Sequence, residues 1–222
     1  MKVTWLGEGG LLFDNGKITV AVDPLFSDIK GKARNYPPEA SYLEKKADVI
    51  IVTGASENRF DEYAIRAYLQ NNKSATVISG EKVFEKICDI GGNAVLLSPH
   101  SVWSEGGVTF YSVGAETRDR TAIGVIIDDG KKTYYVSGAT LYNYDVIDDV
   151  LDLAPDGVDY AFVPISGKDC NMNAKDAADF AYEIGAGRAV PVCFGLYDEI
   201  SACDFDFEDA LILKPYCECE LD

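Results

Sequence analysis

The side chains able to do chemistry in this chain are concentrated in a few loops. Ser56, Glu57, Asn58 and Arg59 follow the β-branched run that ends at Thr53 and precede Phe60 and the helix-like DEYAIRAYLQ. They therefore sit on a loop between a buried strand and a helix, where α/β proteins place binding and catalysis. Hydrolysis at paired metal ions needs several neutral imidazoles and a bridging carboxylate. The chain has 1 histidine, His100, set between Pro99 and Ser101. Glu8, Glu57, Glu116 and Cys193 carry donor atoms that a hard or borderline ion could accept. Cys193 is either a nucleophile or soft ligand, or a buried inert thiol, and no histidine is at hand to activate it. Asp23, Asp169 and Asp176 are carboxylates whose spacing assigns no acid or base role, and Asp23-Pro24 at a strand end reads as a turn fixed through bonds to backbone amides. Gly7-Glu8-Gly9-Gly10 is no phosphate loop, because a strand and not a helix follows it.

The elements that must position these residues are legible from periodicity. Residues 2–7 and 17–23 read as strands joined by a turn at Asp14-Asn15-Gly16. Residues 27–46 form a surface excursion ending in a short helix near 39–46. A strand over 47–53, a helix over 61–71, a strand over 75–79, a helix over 81–90 and a short strand over 94–97 follow. Strands over 108–113, 122–128 and 132–137 come next, the last two as a hairpin on Asp129-Gly130. Helices over 145–153 and 174–184 flank strands 160–165 and 188–193, and a strand-like 210–214 lies in the acidic tail. Alternating strands and helices argue for layered α/β packing.

With 222 residues, 47% of them hydrophobic and 11% aromatic, the chain can bury a substantial core. No Pro/Gly/Ser-rich linker divides it, so one domain over 1–222 is expected. A formal charge of −17 repels phosphate backbones and anionic membranes, making nucleic-acid and membrane-surface roles poor expectations. No apolar run approaches a membrane span and no signal-peptide core opens the chain, which predicts a cytoplasmic protein. The 6 cysteines are scattered at 88, 170, 193, 203, 217 and 219, so reduced thiols are the default. Cys217 and Cys219 are a weak metal signal, and packing is favoured for them.

On these motifs the chain resembles the metallo-β-lactamase superfamily, in the branch that includes the L-ascorbate-6-phosphate lactonases. That family opens W-L-G-H-x-G with a strand ending D-P; here stand Trp5-Leu6-Gly7, Gly10 and Asp23-Pro24, with Glu8 at the histidine. Its T-H-x-H-x-D-H-F loop keeps Thr53 and Phe60, but the four ligand positions are Gly54, Ser56, Asn58 and Arg59. Thr117 stands for a further histidine with Glu116 beside it, Ala139 for the bridging aspartate, and Cys193 for the last histidine. Pro164-Ile165-Ser166-Gly167-Lys168-Asp169 and Asn171-Met172 are similar to the lactonase branch's P-I-N-G-R-D and N-M runs.

The resemblance implies a four-layer αβ/βα sandwich and a cleft lined by Glu8, Gly54, Ser56, Asn58, Arg59, Thr117, Ala139 and Cys193. It also implies that no metal is held, with zinc or manganese expected only if the site has been rebuilt. Arg59 then either fills the place and charge of the lost metal by pairing with Glu8, Glu57 or Glu116, or is a surface arginine at a helix entry. Arg59, Glu116, Lys168 and Asp169 are the expected ligand-binding residues, Lys168 being either a second cation or a solvated loop lysine. The leading expectation is a non-catalytic relative that binds a small molecule or a protein partner. The alternatives are a lactonase-like hydrolase, with a rebuilt metal site or a metal-free one resting on Arg59, Glu8 and Cys193, and a structural subunit that pairs with an active paralogue; the resemblance also implies a homo-oligomer as a partner state.

Overall fold

The computed structural model describes all residues 1–222. The chain divides into two compact units, one of Met1–Leu96, Gly195–Glu199 and Leu213–Asp222, the other of Leu97–Phe194 and Ile200–Ile212.

The first unit carries a seven-stranded sheet in the order β13-β1-β2-β3-β4-β5-β6. Its strands are β1 (Lys2–Gly7), β2 (Gly10–Asp14), β3 (Thr19–Val22), β4 (Val49–Val52), β5 (Thr76–Ser79), β6 (Asn93–Leu96) and β13 (Glu218–Glu220). β4 reads Val-Ile-Ile-Val, every residue buried, as a strand covered on both faces must. It pairs in parallel with β3 and β5, so the loops after β3 and β4 leave the sheet at the same end. Helix α1 (Glu62–Asn71) lays Ala64, Ile65, Tyr68 and Leu69 against Ile50, Val52 and Val77. Helix α2 (Glu81–Ile87) adds Val83 and Ile87 to the same core.

The second unit carries a six-stranded sheet in the order β12-β11-β10-β9-β8-β7. These are β7 (Val102–Glu105), β8 (Val108–Gly114), β9 (Ile123–Asp128), β10 (Thr133–Val136), β11 (Tyr160–Pro164) and β12 (Arg188–Val192). Helices α3 (Tyr144–Leu153) and α4 (Ala174–Glu183) start at Asn143 and Asn173, whose side chains accept from backbone amides of the first turn. Their inward faces, led by Val150 and Phe180, pack with Tyr135, Ala161 and Val163. No helix is long and apolar enough to cross a membrane.

The expected elements are present with three differences. Residues 2–7 and 17–23 do not pair directly: β2 lies between β1 and β3, and the Asn15-Gly16 turn joins β2 to β3. Strand β7 lies outside the strands expected from periodicity and forms the edge of its sheet. Residues 210–214 form no strand; Ala210 makes one bridge to Ala189, and Glu218–Glu220 instead pairs with β1.

Asp61 ties α1 to the loop after β3. Its carboxylate accepts from the amides of Phe26 and Ser27 at 2.7 Å each, from Ser27 Oγ at 2.7 Å, and from the Ala64 amide as the helix cap at 3.2 Å. Asp61→Ala leaves several of these buried donors unmatched and is expected to lower the unfolding free energy by about 2–4 kcal/mol. Urea unfolding reads this, and an unchanged midpoint would refute the tie.

Candidate functional site

The turn between β1 and β2 is built so that Glu8 points inward. Gly7 and Glu8 adopt φ of 92° and 49°, a left-handed bend that Gly7 makes without cost and Glu8 makes against its Cβ. The Trp5 indole Nε1 donates to the Glu8 carbonyl at 2.8 Å and holds the bend in place. Asp23, closing β3, also has a positive φ, 43°, and its amide donates to the Ile51 carbonyl at 2.9 Å. Non-glycine residues in this region are strained, and two carboxylate bearers so placed at one end of a sheet mark the loops as more than connectors.

Between them lies Arg59. Its side chain is 1% exposed, and Nη1 stands 3.3 Å from Asp23 Oδ2, itself on a side chain with 0% exposure. The Asp23 carboxylate also accepts from the Thr53 amide at 2.7 Å and the Thr53 hydroxyl at 2.5 Å. A Cβ at Gly9 would come within 1.7 Å of Arg59 Nη1, so the guanidinium occupies the space that only a glycine leaves open at the turn. Burial pushes the Asp23 carboxyl up, and the Arg59 charge and the Thr53 donors oppose that push. Glu8, 8% exposed, accepts from Asn58 Nδ2 at 3.4 Å, and Asn58 Oδ1 accepts from Ser56 Oγ at 2.6 Å. Burial raises the Glu8 carboxyl above its ordinary 4.5, with Arg59 and Asn58 pulling the other way.

Arg59 is therefore the inward arginine, although its ion pair is with Asp23 rather than with Glu57, which is exposed, or Glu116. Glu8 feels the Arg59 charge without being its bonded partner. Asp23, expected from the sequence to fix a turn through backbone amides, accepts from the Thr53 amide and carries the counter-charge as well. Gly54 is buried and Ser56 exposed in the same loop. In the second unit, Thr117 Oγ1 accepts from the Asp119 amide and Glu116 Oε2 from Asn143 at the start of α3. Ala139 is half-buried beside Gly138, whose φ is 65°. Cys193 is buried at a φ of 59°, while Lys168 and Asp169 are exposed.

Solved structures place this architecture. The chain is similar to the metallo-hydrolase Igni18 from Ignicoccus hospitalis KIN4/I, at 16% identity over 100% of this chain and 99% of that one, with a TM-score of 0.76. It is similar to a possible metal-dependent hydrolase from Veillonella parvula DSM 2008 at 15% identity, 100% and 99% coverage and a TM-score of 0.77. It is also similar to the metallo-β-lactamase fold protein YhfI from Bacillus subtilis at 15% identity, 99% and 99% coverage and a TM-score of 0.73. No family model and no curated protein matches. The fold is thus the metallo-β-lactamase fold, shared with metallo-hydrolases, and at such identities the likeness carries the fold alone.

The residues here do not fit the metal centre that this fold implies. A guanidinium is a cation, Gly54 and Ala139 offer no side-chain donor atom, and the neutral Ser56 hydroxyl is not an ordinary zinc or manganese ligand. Nowhere do three or more His, Cys, Asp or Glu side chains gather as a metal would need.

Two substitutions probe the buried charges of this site. Arg59→Ala strands the Asp23 carboxylate and is expected to destabilise by about 3–5 kcal/mol in chemical unfolding; a loss within experimental error would show the pair to be idle. Glu8→Gln tests the raised carboxyl. A group raised in the folded chain adds stability below its unfolded value and loses it as pH rises through the folded one. Glu8→Gln is therefore expected to gain on the wild type progressively as pH climbs above 4.5, the difference closing in more acid solution. A pH-independent difference in melting temperature would contradict this.

Proposed function

We propose that this chain is a metallo-β-lactamase-fold protein without a catalytic metal centre, which binds a small ligand at the loops following β1, β3 and β4. The observation that carries this reading is the Arg59–Asp23 ion pair seated against Gly9. It puts a fixed positive charge, already neutralised and bonded, among the loops where the sequence resemblance locates metal ligands. A side-chain cation cannot lower the pKa of a bound water as a divalent ion does, which supports binding over metal-assisted hydrolysis at these residues. The remaining polar groups there, Glu8, Asn58 and Ser56, form a hydrogen-bonding row suited to holding a ligand.

Metal analysis of the purified chain, before and after incubation with zinc and manganese, tests this together with assays on lactones and phosphodiesters. Sub-stoichiometric metal and no turnover are expected. Stoichiometric metal, or hydrolysis abolished by a chelator, would overturn the proposal in favour of a rebuilt hydrolase.

A further inference from the structure

The excursion after β3, at residues 27–39, carries two polar atoms that are buried and without a hydrogen-bond partner, Arg34 Nη1 and the Tyr36 hydroxyl. The Arg34 side chain is 6% exposed and otherwise well committed. Nε donates to Asp28 Oδ1 at 3.1 Å, Nη2 to the carbonyls of Ser27 at 2.6 Å and Leu25 at 3.4 Å, and the guanidinium lies over the Tyr197 ring at 5.5 Å. Tyr36 brings its hydroxyl over the β1–β2 turn, where a Cβ on Gly7 would be 3.1 Å from it. Leu196 Cδ2 would meet the same Cβ at 3.3 Å, and its neighbour Tyr197 lies under the Arg34 guanidinium, so Arg34, Tyr36 and the turn that carries Glu8 adjoin.

Arginine can only donate, and an unmatched buried donor is costly, so a chain that keeps one gains by receiving an acceptor. We infer that Arg34 and Tyr36 form the receiving wall for an oxyanion, a carboxylate or phosphate group, of the small ligand bound beside Glu8. This deepens the proposed function and rests on it.

Burial pushes the Tyr36 phenol up, keeping it protonated and able to donate. Entry requires the excursion to lift, since both open atoms are shielded. Its hold is Asn35, whose Nδ2 donates to the carbonyls of Gly195 at 3.0 Å and Asp198 at 2.8 Å, and whose amide donates to the Leu196 carbonyl at 2.8 Å.

The full chain is titrated with inorganic phosphate and separately with acetate, at ionic strength matched by chloride, while the thermal midpoint is followed. At least one oxyanion is expected to raise the midpoint saturably where chloride does not, and the one that does so names the group. Tyr36→Phe removes an oxygen that has no partner, so its midpoint without anion is expected to equal or exceed the wild type. Its apparent dissociation constant for the oxyanion is expected to weaken by about tenfold. No saturable rise with either oxyanion, or the same response in Tyr36→Phe, overturns the inference. Metal analysis of the same sample is read separately: a bound ion would sink the metal-free reading, whereas the oxyanion wall stands or falls on the Tyr36→Phe comparison.

Discussion

A guanidinium with almost none of its surface in water cannot stand in a protein interior without a counter-charge, and in this chain that requirement organises a whole sheet end. Arg59 lies on the loop after β4 and Asp23 at the end of β3, so the ion pair joins the two parallel strands just beyond their last backbone bonds. The carboxylate is fixed by Thr53 from β4's own exit, and the guanidinium is roofed by a glycine that leaves it room. Remove the charge from either partner and the other is left in a dry site, where an unpaired ion costs several times what a surface pair contributes. The left-handed turns at Glu8 and Asp23 are the backbone side of the same arrangement, strain tolerated because the side chains they aim are over-determined by their neighbours.

This arrangement explains how a chain can share the architecture of metallo-hydrolases and yet have a polar centre of another kind. A fold specifies where loops converge, and what those loops carry is a separate matter. Strands of Val, Ile and Leu, helices capped by Asp61, Asn143 and Asn173, and tight glycine turns keep the scaffold. On the loop after β4, Ser56 and Asn58 form a hydrogen-bonded chain that reaches Glu8 of the β1–β2 turn, next to the Arg59–Asp23 pair. Such a group can hold and orient a polar molecule.

Much of this was legible in the sequence for reasons that are physical. β4 announced itself by an unbroken β-branched run, and the β9–β10 hairpin by Asp129-Gly130, whose Gly130 takes a φ of 78°. β2 escaped because Gly-Leu-Leu-Phe-Asp begins on glycines and does not alternate, so its strand character comes from two neighbours and not from itself. Glu218–Glu220 is acidic and a poor strand former; it pairs because β1 offers an open edge and Lys2 an ion pair with Glu218 at 2.6 Å. Arg59 could be singled out by its position in the motif, but its direction could not be read, because it depends on a missing Cβ 50 residues earlier and a carboxylate 36 earlier. Arg34 and Tyr36 gave no signal at all in a charged, proline-bearing stretch that looks like any surface loop.

The central claim is that Arg59 and Asp23 act as one electrostatic unit in the interior. A double-mutant cycle combining Arg59→Met with Asp23→Asn, read by chemical unfolding at neutral pH, tests it most directly. Strong coupling is expected, with the double variant more stable than the sum of the single losses allows by about 2 kcal/mol or more. Additive losses would mean that the two side chains meet without depending on one another, and the account built on their pairing would fail.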